Sequence, residues 1–121
     1  MDEVRIGNAI RFSGQPAADF LIRIETDGLS VRTPCVPTPT LAAFVQGLAD
    51  DFRGWPGERA WRDGTLAVTA VHRSPGRVEL TWTVEDGHYD DLEWSVTAHT
   101  THDAGEAMLS LARDLRAFFA R

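Results

Sequence analysis

The chain states one pattern twice, and that repetition limits the folds open to it more than any other feature. Residues 4–53 read as three strands followed by an amphipathic helix, and residues 65–120 read the same way. The correspondence is closest at Leu29-Ser30-Val31, which precedes a helix with Leu41, Phe44, Val45, Leu48 and Phe52 on one face. Its counterpart is Trp94-Ser95-Val96, ahead of Met108, Leu111, Ala112, Leu115 and Phe119. Apolar residues at i, i+3, i+4 and i+7 make one stripe of a helix. Two such units predict an α+β fold: a six-stranded antiparallel sheet from two strand-strand-strand-helix repeats, both helices on one face. Residues 1–121 then form a single domain with pseudo-repeats 4–53 and 65–120, since 121 residues suffice for one core and not for two.

Within the first repeat, Val4, Ile6, Ile10 and Phe12 share the parity of one strand, Val4 to Phe12. Phe20, Ile22 and Ile24 do the same from Phe20 to Thr26. Asp27-Gly28 is a two-residue hairpin signal leading to Leu29–Thr33. The run Pro34-Cys35-Val36-Pro37-Thr38-Pro39 reads as a crossover loop, with Thr38 as N-cap and Pro39 opening the helix. In the second repeat the strands are Leu66–His72, Val78–Val84 and Leu92–Thr100. An acidic loop spans Glu85–Asp91, and Asp103 with Glu106 has capping-box spacing.

Bulk properties remove several classes of function. A net charge of −6 disfavours nucleic acid, which requires a basic stripe. No apolar run is long enough to span a bilayer, and Met1-Asp2-Glu3 lacks the basic and apolar regions of a secretory signal. The single Cys35 excludes an internal disulfide and fits the reducing cytoplasm, which is the expected location. All 12 basic residues are arginine, and with abundant alanine this suggests a GC-rich bacterial genome.

Gly54-Trp55, Gly57, Arg59, Trp61, Asp63-Gly64 and Leu66 form a block that Gly76, Val78 and Leu80 follow, with Leu111-Ala112 and Phe118-Phe119 near the end. This pattern resembles a family of small actinobacterial proteins of unknown function. The resemblance implies a shared fold and bacterial origin, and it transfers no catalytic residue.

The candidate chemistry is sparse. His99-x-x-His102-Asp103 is the nearest approach to a metal motif, but His99 has outward strand parity while His102 and Asp103 read as a helix start. No metal or other cofactor is expected. Neither His88 in the acidic loop nor Cys35 has a fixed partner readable from sequence, so no catalytic residue is assigned. Trp82 and Trp94 have core parity, whereas Trp55 and Trp61 either staple the connector or line a ligand cleft. Asp86, Tyr89, Asp90, Asp91 and Glu93 combine negative charge with an aromatic anchor suited to a basic partner. Arg5, Arg11, Arg23 and Arg32 fall on the outward sheet face, where they suit an anionic ligand or protein. Glu79, Thr81, Thr83, Ser95 and Thr97 occupy the same face in the second repeat.

The expectation is therefore a small non-enzymatic protein-binding domain, in concrete form an immunity or antitoxin-like protein using its acidic loop. It has a protein partner or self-associates, and engages neither nucleic acid nor membrane. The rivals are a small-molecule-binding or enzymatic domain with a cleft between sheet and helices, and a homodimeric scaffold.

Overall fold

In the computed structural model, residues 3–14, 20–26, 28–35, 40–88 and 91–120 are described. Each half is a four-stranded antiparallel meander closed by a helix. The first comprises β1 (Glu3–Ile6), β2 (Ile10–Gly14), β3 (Phe20–Thr26), β4 (Leu29–Cys35) and α1 (Thr40–Asp50). The second comprises β5 (Glu58–Asp63), β6 (Leu66–Arg73), β7 (Arg77–His88), β8 (Asp91–Asp103) and α2 (Glu106–Phe119). The strands pair as β1-β2-β3-β4 and as β5-β6-β7-β8 in two separate sheets. The α+β class with two helices stands; the single six-stranded sheet of three-strand units does not, because each half contributes four strands to its own sheet.

Two strands account for the difference. Val4–Phe12 is two strands, because the chain reverses at Gly7-Asn8-Ala9 with Gly7 at a φ of 58°. The reversal shifts the apolar series from Ile6 to Ile10, an even step, so the alternation passes through the turn unbroken. The other is β5, whose six residues include none that is buried. It is an edge strand, and charged residues on such an edge discourage pairing with another chain. Pro34 lies within β4 opposite Leu21, in the run expected to be loop. β4 is also an edge strand, the position in a sheet where proline is tolerated because outward-facing N–H groups make no ladder bond.

The two halves share one core. Val4, Ile6, Ile10, Phe12, Ile22 and Ile24 of the first sheet are buried, as are Leu66, Val68, Ala70, Val78, Leu80, Trp82 and Val84 of the second. Phe12 meets Trp82 edge-on at 6.1 Å and Phe118 of α2 at 6.3 Å, which joins the sheets through aromatic contact. The helices pack antiparallel. Ala49 and Asp50 at the end of α1 share a groove with Gly105 and Leu109 at the start of α2. Arg116, near the other end of α2, donates to Gln46 Oε1 at 3.2 Å.

The helix ends depart from expectation. Helix α1 stops at Asp50, so Phe52 lies beyond it and is 51% exposed instead of packing on the core stripe. Asp103 ends β8 and caps nothing; the α2 N-cap is Gly105, at a φ of 87° and without a side-chain cap. Thr38 and Pro39 lie outside the described residues. Trp82 is fully buried, while Trp94 is partly buried against the core. No helix among the described residues is long and apolar enough to cross a membrane.

Candidate functional site

Strand parity turns Arg5, Arg11 and Arg23 outward because their neighbours Val4, Ile6, Ile10, Phe12, Ile22 and Ile24 fill the core, and Arg32, between the half-buried Val31 and Thr33, is exposed on the same side. Register then does more than parity requires. Arg5 pairs with Arg11, Arg11 with Arg23, and Arg23 with Arg32, so one arginine from every strand stands in a single row across the sheet. At a strand spacing of about 4.8 Å, the row spans roughly 14 Å. Like charges directly opposite on neighbouring strands destabilise a sheet.

Two carboxylates partly offset that repulsion. Glu3 accepts from Arg5 Nε at 2.8 Å and lies 3.8 Å from Arg11 Nε. The Arg5 hydrogen bond, aided by the charges of Arg5, Arg11 and Arg23, holds Glu3 below the usual carboxylate range against an opposing desolvation. Glu25 reaches Arg23 at 3.6 Å. Arg32 has no carboxylate partner among the described residues. Between Arg11, Arg23 and Arg32 lies a depression of about 170 Å³, completed by Glu3, Ser13 and Leu21.

The outward face of the second sheet is chemically different. Thr83 and Thr97 share a hydroxyl hydrogen bond at 3.2 Å, Thr81 Oγ1 meets His99 Nδ1 at 3.1 Å, and Glu79 pairs with Arg73 at 3.3 Å. Ser95 stands opposite Glu85, which pairs with Arg62. These polar groups largely satisfy one another across the strands, which suits a solvated face.

The acidic segment is mostly strand, not loop. β7 and β8 pair out to His88 and Asp91, with a bulge between Asp86 and Gly87 that increases twist. Asp86 and Asp91 therefore lie on paired backbone, Glu93 is the β8 residue that the bulge leaves without a partner, and Tyr89 and Asp90 are outside the described residues. Cys35 ends β4 opposite Phe20.

His102 also belongs to β8, not to a helix start, and it occupies the opposite face from His99. Its Nε2 lies 2.8 Å from Thr100 Oγ1, which also accepts the Trp82 indole N–H at 2.9 Å. Thr100 is the link between a core indole and a half-buried imidazole. Among the described residues, no group of three His, Cys, Asp or Glu side chains is placed to hold a metal.

Burial pushes the His102 ring below its ordinary value, against a smaller upward pull from Asp103. The fold therefore favours the neutral ring, while the unfolded chain takes up its proton near pH 6.5. Stability is complete above that pH and falls as pH drops through it toward the folded-state value. Urea unfolding at pH 7.5 and 5.5 is expected to show a smaller acid loss in His102→Gln than in the wild type. Equal losses would assign the pH dependence to other groups.

Trp55 and Trp61 spend their polar ends on the protein. Trp55 is buried, donates to the Ala70 carbonyl at 3.3 Å and lies beneath the Arg59 guanidinium at 4.7 Å. Trp61 is half-buried and donates to Thr40 Oγ1 at 3.1 Å, tying β5 to the start of α1. Arg59 also pairs with Asp51 at 2.7 Å. The connector is thereby fastened to both the sheet and the α1 end of the molecule.

No curated protein and no solved structure matches the chain. A family model described as a family of unknown function (DUF6228) matches residues 2–121, nearly the full length and more than the block around Trp55 and Trp61 alone. The duplicated meander-and-helix chain with an arginine row across its first sheet belongs to the family of unknown function DUF6228.

Proposed function

We propose that this protein is a non-enzymatic binding domain that docks on an anionic region of a protein partner through the outer face of the β1–β4 sheet. The observation that carries this reading is the in-register row of Arg5, Arg11, Arg23 and Arg32. In a chain of net charge −6, this face concentrates positive charge on a hydrogen-bonded sheet that holds it in place. Among the described residues its four guanidiniums face two carboxylates, Glu3 and Glu25, a surplus of two positive charges. Such a row steers association and fixes register with an anionic surface.

A second reading keeps the immunity or antitoxin-like role and places a basic partner at the end of the β7–β8 hairpin. Pairing as far as His88 and Asp91 favours it, because paired strands hold an acidic segment more firmly than an open loop.

Partner capture from the native host separates the two. With the captured protein purified, Arg11→Glu/Arg23→Glu is expected to weaken binding at least tenfold while leaving the unfolding midpoint within error. The wild-type affinity is expected to fall with salt, as exposed charge contacts do. Loss of binding with Asp90→Arg/Asp91→Arg, but not with the arginine pair, would overturn the first reading in favour of the second.

A further inference from the structure

The depression between Arg11, Arg23 and Arg32 has a more specific chemistry than the face around it. Three arginines from adjacent strands line one space of about 170 Å³, together with Ser13, which carries a hydroxyl, and the apolar Leu21. Glu3 forms the remaining side, and its carboxylate is already committed to Arg5 at 2.8 Å. Arg11 receives only the longer 3.8 Å approach, and Arg32 receives no carboxylate among the described residues. The site therefore offers fork-shaped donors on two sides with their charge incompletely offset.

The charge and donor count select among anions. A carboxylate brings one negative charge and two oxygens, which leaves one guanidinium of the three unmatched. A phosphomonoester brings nearly two charges at neutral pH and three terminal oxygens. That meets the surplus of two positive charges and provides one oxygen for each arginine. Guanidinium forks bind such oxygens directionally, as an ammonium point charge does not.

We infer that this depression is a phosphate subsite, and that it takes the phosphorylated side chain of a partner protein. The assignment of the phosphate to a protein rests on the proposed docking function; the subsite chemistry rests on the three arginines. Glu3 acts as an internal competitor on one wall, repelling an incoming dianion until the arginines are engaged by something stronger than it.

The test uses the full chain and three probes: inorganic phosphate, a phosphoserine peptide in a neutral sequence, and that peptide with glutamate replacing phosphoserine. Arginine Nε–H resonances report occupancy, and calorimetry reports affinity. The phosphoserine peptide is expected to shift the signals of Arg11, Arg23 and Arg32 and to bind at least tenfold more tightly than the glutamate peptide. Arg23→Gln/Arg32→Gln is expected to abolish that preference, and Glu3→Gln to strengthen phosphopeptide binding several-fold. Inorganic phosphate binding as tightly as the phosphopeptide would overturn the protein source. Equal affinity for the phosphoserine and glutamate peptides, or no arginine shift with any phosphate probe, would overturn the subsite. Either failure leaves the docking proposal to be judged by capture of the partner and the Arg11→Glu/Arg23→Glu variant.

Discussion

Trp82→Ala is expected to lower the unfolding free energy by about 4 kcal/mol, the usual range for removing a large aromatic side chain from a core. A domain of this length has roughly 6–18 kcal/mol in total, so the variant should be markedly destabilised or unfolded at ambient temperature. The size of the effect follows from position. Trp82 is fully buried at the middle of β7, meets Phe12 of the other sheet edge-on at 6.1 Å, and donates its N–H to Thr100 at 2.9 Å. Alanine removes the ring that joins the two halves and also the donor that Thr100 accepts. Trp82→Phe keeps most of the packing and loses the hydrogen bond, so it should cost about 1–2 kcal/mol. Urea unfolding followed by circular dichroism measures both. A loss below about 1 kcal/mol for the alanine variant, within the ordinary spread of point substitutions, would mean that the halves are held together elsewhere.

The second large effect is expected at a glycine. Gly54 has a φ of 119°, and a Cβ placed there would lie 2.9 Å from His72 Nδ1. The imidazole is not free to retreat. Its Nε2 sits 3.3 Å from the Phe52 carbonyl oxygen, and its ring packs edge-on against Trp55 at 5.5 Å. Gly54→Ala must therefore adopt a sparsely populated backbone conformation and displace a ring that anchors the connector. We expect a loss of about 2–3 kcal/mol, near the upper end for a strained residue. Gly28→Ala is the control: its φ is 75°, but nothing lies within 4 Å of the added methyl. It should show only the left-handed backbone cost of about 1–2 kcal/mol. Equal losses at both positions would remove His72 from the explanation.

How much of this was legible in the sequence depended on whether a feature is set by alternation or by turns. Alternation turned Arg5, Arg11 and Arg23 away from the core, because their neighbours on the other parity are apolar and buried, and Arg32 follows between the half-buried Val31 and Thr33. It could not show that they form one row. That depends on Ile6 pairing with Ile10 around Gly7-Asn8-Ala9, and on the later turns bringing Arg23 opposite both Arg11 and Arg32. The turn itself was invisible because the step from Ile6 to Ile10 is even and preserves the alternation. Strand β5 escaped for the opposite reason. Glu58-Arg59-Ala60-Trp61-Arg62-Asp63 has no buried face, and its place is fixed by pairing with β6 and by Trp61 reaching Thr40. The Trp82–Thr100–His102 chain was equally hidden. Each residue is ordinary by itself, and only the pairing of β7 with β8 makes them neighbours.

The meander order of both sheets has a consequence for how the chain reaches its native state. Every strand pairs only with its neighbours in sequence, so each ladder closes a short loop. The entropic cost of such closures is small, and contacts local in sequence favour rapid assembly. The contacts between Phe12 and Trp82 and between Gln46 and Arg116 instead join residues 70 positions apart. Those distant contacts concentrate the long-range ordering of the chain into the meeting of two halves, each of which can begin to organise from local information.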